Sequence, residues 1–163
     1  MQNKALVVID LQNDITKNYR EIIDAVNSAI EWAEKQKMFV VYIRNENLSA
    51  GTRTFKPGTK GSELVPELRI VSEHIFVKTK SNALTSETFA AFITENGISE
   101  FIICGADAAA CVKSTCFNMR KADYSVTVLS DCVTSYDKKA IPEMLAYYKN
   151  KGCVLTTSAE FIG

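Results

Sequence analysis

The sequence is poorest in the side chains that hold metals and covalent staples. It has one histidine, His74, and its five cysteines (Cys104, Cys111, Cys116, Cys132 and Cys153) form no Cys-x-x-Cys pair. That count leaves no ligand set for a zinc ribbon, and an odd, scattered set of cysteines argues against a disulfide framework. A reducing, cytoplasmic compartment is expected. Charge of one sign is missing as well, because 19 basic and 19 acidic side chains cancel without a long run of either. No nucleic acid and no membrane is therefore expected as a partner. The apolar run at the N-terminus is short and meets Asp10, so it reads as neither a signal peptide nor a membrane span. Phosphate-cradling loops are also absent. No Gly-x-Gly-x-x-Gly follows the first apolar run, where Val8-Ile9-Asp10-Leu11-Gln12-Asn13-Asp14 stands, and no P-loop motif occurs.

What is present suits one compact unit. With 163 residues and 47% hydrophobic content, the chain can bury one sizeable core, and 1–163 reads as a single domain without repeats. Continuous β-branched or apolar runs at 5–9, 39–43, 75–77, 101–104, 125–129 and 154–156 predict six strands buried on both faces. Helical patterns lie between them at about 19–37, 87–96, 110–122 and 138–151. Ser86 is the expected N-cap of the second, and Gly97 its C-cap. Residues 44–72 hold two of the three prolines and read as a long loop with one short helix near 62–68. Strands alternating with helices predict a three-layer α/β/α sandwich on a parallel sheet.

In such folds ligands bind beyond the carboxyl ends of the strands. Three chemically able residues fall there: Asp10 after the first strand, Lys78 after the third and Cys111 after the fourth. Cys111 also opens a helix, where free N–H groups and the positive end of the dipole favour a thiolate and can bind an oxyanion. Each residue has a plainer reading too: Asp10 as a turn, Lys78 as a surface lysine, Cys111 as a structural thiol. Lys80 competes with Lys78. Gln12 and Asp14 suit either a pocket lining or a helix cap. Asp131 reads as a turn or cap, and Cys104 and Cys116 as buried and inert.

Four segments in order, VVIDLQND (7–14), FKPGTKGSELVPEL (55–68), VKTKSNAL (77–84) and CGADAAACV (104–112), resemble the isochorismatase-like cysteine hydrolase superfamily. The resemblance implies a Rossmann-type sheet ordered 3-2-1-4-5-6. It implies an Asp10–Lys78–Cys111 triad that cleaves a C–N bond, of amide or ureido type, in a small-molecule substrate through a thioester. It further implies a homo-oligomer, no cofactor, and a cis peptide at Ala106–Asp107 that would make the Asp107 and Cys111 N–H groups an oxyanion hole. Gln12, Asn82, Leu84 and Ala106 are the expected substrate contacts. Two departures narrow the activity. Isochorismate-cleaving members lack the cysteine, and the metal site of the nicotinamidase branch is replaced here by Arg44-Asn45-Glu46-Asn47, so no metal is expected. The rival reading is a catalytically idle, oligomeric binding scaffold of the same fold.

Overall fold

A computed structural model describes residues 3–163; Met1 and Gln2 of the expected domain lie outside the described residues. Six strands, β1 (Lys4–Ile9), β2 (Phe39–Asn45), β3 (Ile75–Lys78), β4 (Glu100–Ala106), β5 (Ser125–Thr134) and β6 (Val154–Thr156), form one sheet in the order β3-β2-β1-β4-β5-β6. Every pairing is parallel. The helices are α1 (Ile23–Lys35), α2 (Glu87–Glu95), α3 (Cys111–Lys121), α4 (Ile141–Asn150) and α5 (Ser158–Ile162).

The central strand shows why the sequence reads as it does. Along β1, Ala5, Val7 and Ile9 enter one core and Leu6 and Val8 the other. The first core is closed by Phe89 and Ile93 of α2, Val112, Cys116 and Met119 of α3, and Met144 and Tyr148 of α4. The second is closed by Ile23, Val26, Ala29, Ile30 and Ala33 of α1, with Phe161 of α5 against it. A strand covered on both faces has no polar side to alternate with.

Several expectations are corrected. The first helix begins only at Ile23, after two short 3-10 turns that include Tyr19 as a cap. No helix occupies 63–68; a 3-10 turn at Lys60–Ser62 reaches only the first residue of the expected helix, and Leu64 bridges to Gln12. Strand β5 does not stop at Leu129. Between the pairs Ile103–Val128 and Gly105–Val133, the single residue Cys104 of β4 faces four residues of β5 (129–132), and this bulge carries Asp131, which reads as a turn or cap. The apolar runs do not predict α5, although Thr157 and Glu160 form a capping box at its start, which is a legible signal.

Candidate active site

The carboxyl ends of β1, β3 and β4 bring Asp10, Lys78 and Cys111 together. Asp10 is the residue after β1, in the left-handed region at φ 56°, with its N–H donating to the Ile43 carbonyl at 3.0 Å. Lys78 ends the edge strand β3 and pairs in register with Asn45 at the end of β2. Its side chain crosses the end of β2, so a residue two strands from β1 reaches the centre. Lys78 Nζ donates to Asp10 Oδ2 and Asn45 Oδ1, each at 3.1 Å, and lies 3.3 Å from Cys111 Sγ. An ammonium has three N–H bonds, and all three are engaged. Lys78 is buried at this junction, whereas Lys80 is exposed.

Burial governs the proton affinities. Taking Asp10 out of water raises its carboxyl above the ordinary range, against the opposing pull of Lys78 and of the hydrogen bond from Cys111. The Cys111 thiol is pushed up to about 12, first by burial and then by the Asp10 carboxylate, while Lys78 pulls it back. Burial and Asp10 thus act against the thiolate that the helix N-terminus and Lys78 favour. Asp10 Oδ1 is buried and has no hydrogen-bond partner among the described residues. Cys111 is half-buried, whereas the other four cysteines are buried.

The loop before Cys111 carries a cis Ala106–Asp107 bond. Among the described residues, neither the Asp107 nor the Cys111 N–H donates to a protein acceptor. Gly105 precedes this bond at φ 120°, and a Cβ there would meet the Ile9 carbonyl oxygen at 2.2 Å. Only glycine lets β4 pass β1 this closely.

The other expected residues divide. Gln12 has no exposed surface: Nε2 donates to the Asn45 and Ser62 carbonyls, and Oε1 accepts from Asn45 N–H, all at 2.8 Å. It is thus not a substrate contact but a clamp on Asn45, which holds Lys78. In the sequence Asn45 shows only as a departure from a metal site. Asp14 accepts from Phe55 N–H at 2.7 Å and so secures the long loop rather than a helix end. Ala106 is fully buried and offers a ligand no side-chain surface. Asn82 and Leu84 are half-buried on a 3-10 turn (Ala83–Thr85) that Asn82 caps and that Thr115 of α3 ties down through Ala83 N–H. Asp131 binds Ser158 N–H and Oγ at the start of α5. His74 packs at a tilt against Phe92 and edge-on to Phe39. A cleft of about 330 Å³ along α3 is lined by Ser81, Ala110, Lys113, Ser114, Phe117 and Tyr147, with none of Asp10, Lys78 and Cys111 in its wall.

Comparison with known proteins agrees with this architecture. The isochorismatase domain model matches residues 4–160. The chain belongs to the isochorismatase domain family. Solved structures that share its fold include an N-carbamoylsarcosine amidase and a pyrazinamidase. A protein of Arabidopsis thaliana, named a probable inactive nicotinamidase, is 27% identical across 98% of this chain and 95% of its own. The fold is shared with an isochorismatase family protein from Desulfovibrio vulgaris (TM-score 0.91, 17% identity, 99% of this chain and 97% of that one). It is shared also with N-carbamoylsarcosine amidase from Thermoplasma acidophilum (TM-score 0.84, 21% identity, 96% and 97%).

Proposed function

We propose that this family member is a cysteine hydrolase that cleaves a C–N bond, of amide or ureido type, in a small molecule. The observation that carries the reading is the buried Lys78 ammonium touching both Asp10 and Cys111, with the second oxygen of Asp10 left unpartnered. In this reading Asp10 takes the thiol proton as Cys111 Sγ bonds to the carbonyl carbon. The oxygen becomes an anion facing the Asp107 and Cys111 N–H groups, each such donor being worth about 3 kcal/mol in the transition state. The C–N bond then breaks, the nitrogen leaves with the proton from Asp10, and a thioester remains. Water attacks it, giving its proton to Asp10, which returns it to the departing sulfur. Lys78 holds the carboxylate and sulfur together and balances the charge that passes between them. Asn82 and Leu84, half-buried on a turn docked to α3, are the substrate contacts in this scheme.

Small amides, ureido acids and nicotinamide, assayed for ammonia release by the full chain, test it. Release that is lost in Cys111→Ala, with an acyl adduct on Cys111 trapped by mass spectrometry, is the expected result. Release retained in Cys111→Ala would overturn the assignment. The scaffold reading draws support from the Arabidopsis relative's name and from the raised thiol. It requires no release from any substrate and no adduct.

A further inference from the structure

We propose that the side chain of Asp107, held by Tyr19, is a positioning residue that aims its own backbone N–H at the reacting oxygen. This rests on the cysteine-hydrolase reading, in which that N–H is one of the two oxyanion donors. The carboxylate is saturated. Oδ1 accepts from Ala109 N–H at 2.8 Å and Ser135 Oγ at 2.7 Å, and Oδ2 from Tyr136 N–H at 2.8 Å and Tyr19 Oη at 3.0 Å. A carboxylate has about four lone-pair sites, so none remains for proton transfer. Burial works to raise this carboxyl, but the bonds from Tyr136, Ala109, Ser135 and Tyr19 outweigh it and hold it below its ordinary value.

The donors come from three separate segments: the turn ahead of α1, the loop itself, and the chain leaving β5. The next residue is fastened as well, since Ala108 N–H donates to the Thr134 carbonyl at 2.9 Å and its carbonyl accepts from the buried Tyr148 hydroxyl. Every anchor acts on residues 107–109 except at the Asp107 N–H, which stays free for a ligand. Tyr19 is nearly buried, under the Lys138 ammonium at 5.4 Å. A donor held by charge-assisted bonds cannot swing away as charge develops on the substrate.

Two reagents separate aiming from general support. Iodoacetamide alkylates a thiol without forming an oxyanion. A small aliphatic aldehyde instead adds to Cys111 reversibly: the S–C bond forms, the C=O π bond opens, and the oxygen ends carrying the thiol proton in a thiohemiacetal. Asp107→Ala should lose about 100-fold in aldehyde affinity. Asp107→Asn, which keeps an acceptor but loses the charge, should fall between it and the wild type, and Tyr19→Phe should lose several-fold. Iodoacetamide labelling of Cys111 should stay within about twofold in all three, and kcat should fall in the same order with KM little changed. Wild-type aldehyde affinity in Asp107→Ala would overturn the proposal, as would parallel loss with both reagents. Should Asp107→Ala fail to fold, Asp107→Asn and Tyr19→Phe decide the question by the same two measurements. A wild type labelled by iodoacetamide but indifferent to aldehyde would refute the aimed donor alone. A wild type touched by neither would remove the hydrolase reading, and the proposal with it.

Discussion

At Cys111 two neighbours of opposite sign compete for one proton. Asp10 raises the thiol and Lys78 lowers it, so their removal should have opposite effects on labelling and the same effect on catalysis. Asp10→Asn takes away a negative charge, and Cys111 should then alkylate about tenfold faster at neutral pH. Turnover should nevertheless fall by about 10² to 10⁴, because no base remains. Lys78→Ala should slow both processes, and Lys80→Ala neither, since Lys80 is exposed. Alkylation kinetics beside ammonia release check all three variants; a Lys80 defect with an intact Lys78 variant would move the role. The pH profile follows from Asp10. Only its ionised form accepts a proton, and burial has raised its carboxyl. The acid limb of kcat/KM should therefore lie above the ordinary carboxylate range and shift when Lys78 is replaced.

Among the elements, the junction of β1 and β4 is the least forgiving. Ile9 pairs with Gly105, and a methyl group at Gly105 would lie 2.2 Å from the Ile9 carbonyl oxygen and 2.6 Å from its nitrogen. Both atoms are backbone, so no side chain can swing aside. Gly105→Ala should cost about 3 kcal/mol or more, combining overpacking with a φ of 120° that alanine disfavours. A lower urea midpoint would record it, and an unchanged midpoint would show that β1 and β4 can separate here. In β5 the constraint comes from a bulge. It turns Asp131 towards Ser158, and the strand then resumes to Thr134, whose carbonyl holds the loop before Cys111.

At the scale of the molecule, the two cores press helices on both faces of the sheet and leave its carboxyl edge for the site. Among the described residues, no three histidine, cysteine, aspartate or glutamate side chains come together as a metal would need. Dialysis against a chelator should therefore leave turnover intact, and activity lost and then restored by zinc would reveal a site. The resemblance implies assembly, and Phe117 is exposed on the wall of the cleft along α3. Sedimentation should give a species heavier than the 18.1 kDa chain. A monomer at working concentration would refute this.

Strand positions were legible because segments buried on both sides read as unbroken apolar runs, as Ala5–Ile9 and Phe101–Cys104 do. The sequence by itself also determined the chemistry available at their ends, Asp10, Lys78 and Cys111, and the N-cap Ser86, which answers to a near neighbour; the C-cap of α2 is Asn96, with Gly97 following it at φ 61°. Other features depended on groups remote in the chain. Lys78 meets Asp10 across 68 positions, and its direction is set by pairing with Asn45. The Cys111 thiol is pushed up because burial, and after it the Asp10 carboxylate, outweigh the pull of Lys78. Gln12 became a clamp because Asn45 and Ser62 present their backbone to it. The β5 bulge depends on β4, and the four donors on Asp107 come from both sides of the loop. Desolvation and hydrogen-bond saturation are properties of an enclosed place, and only the tertiary structure encloses it.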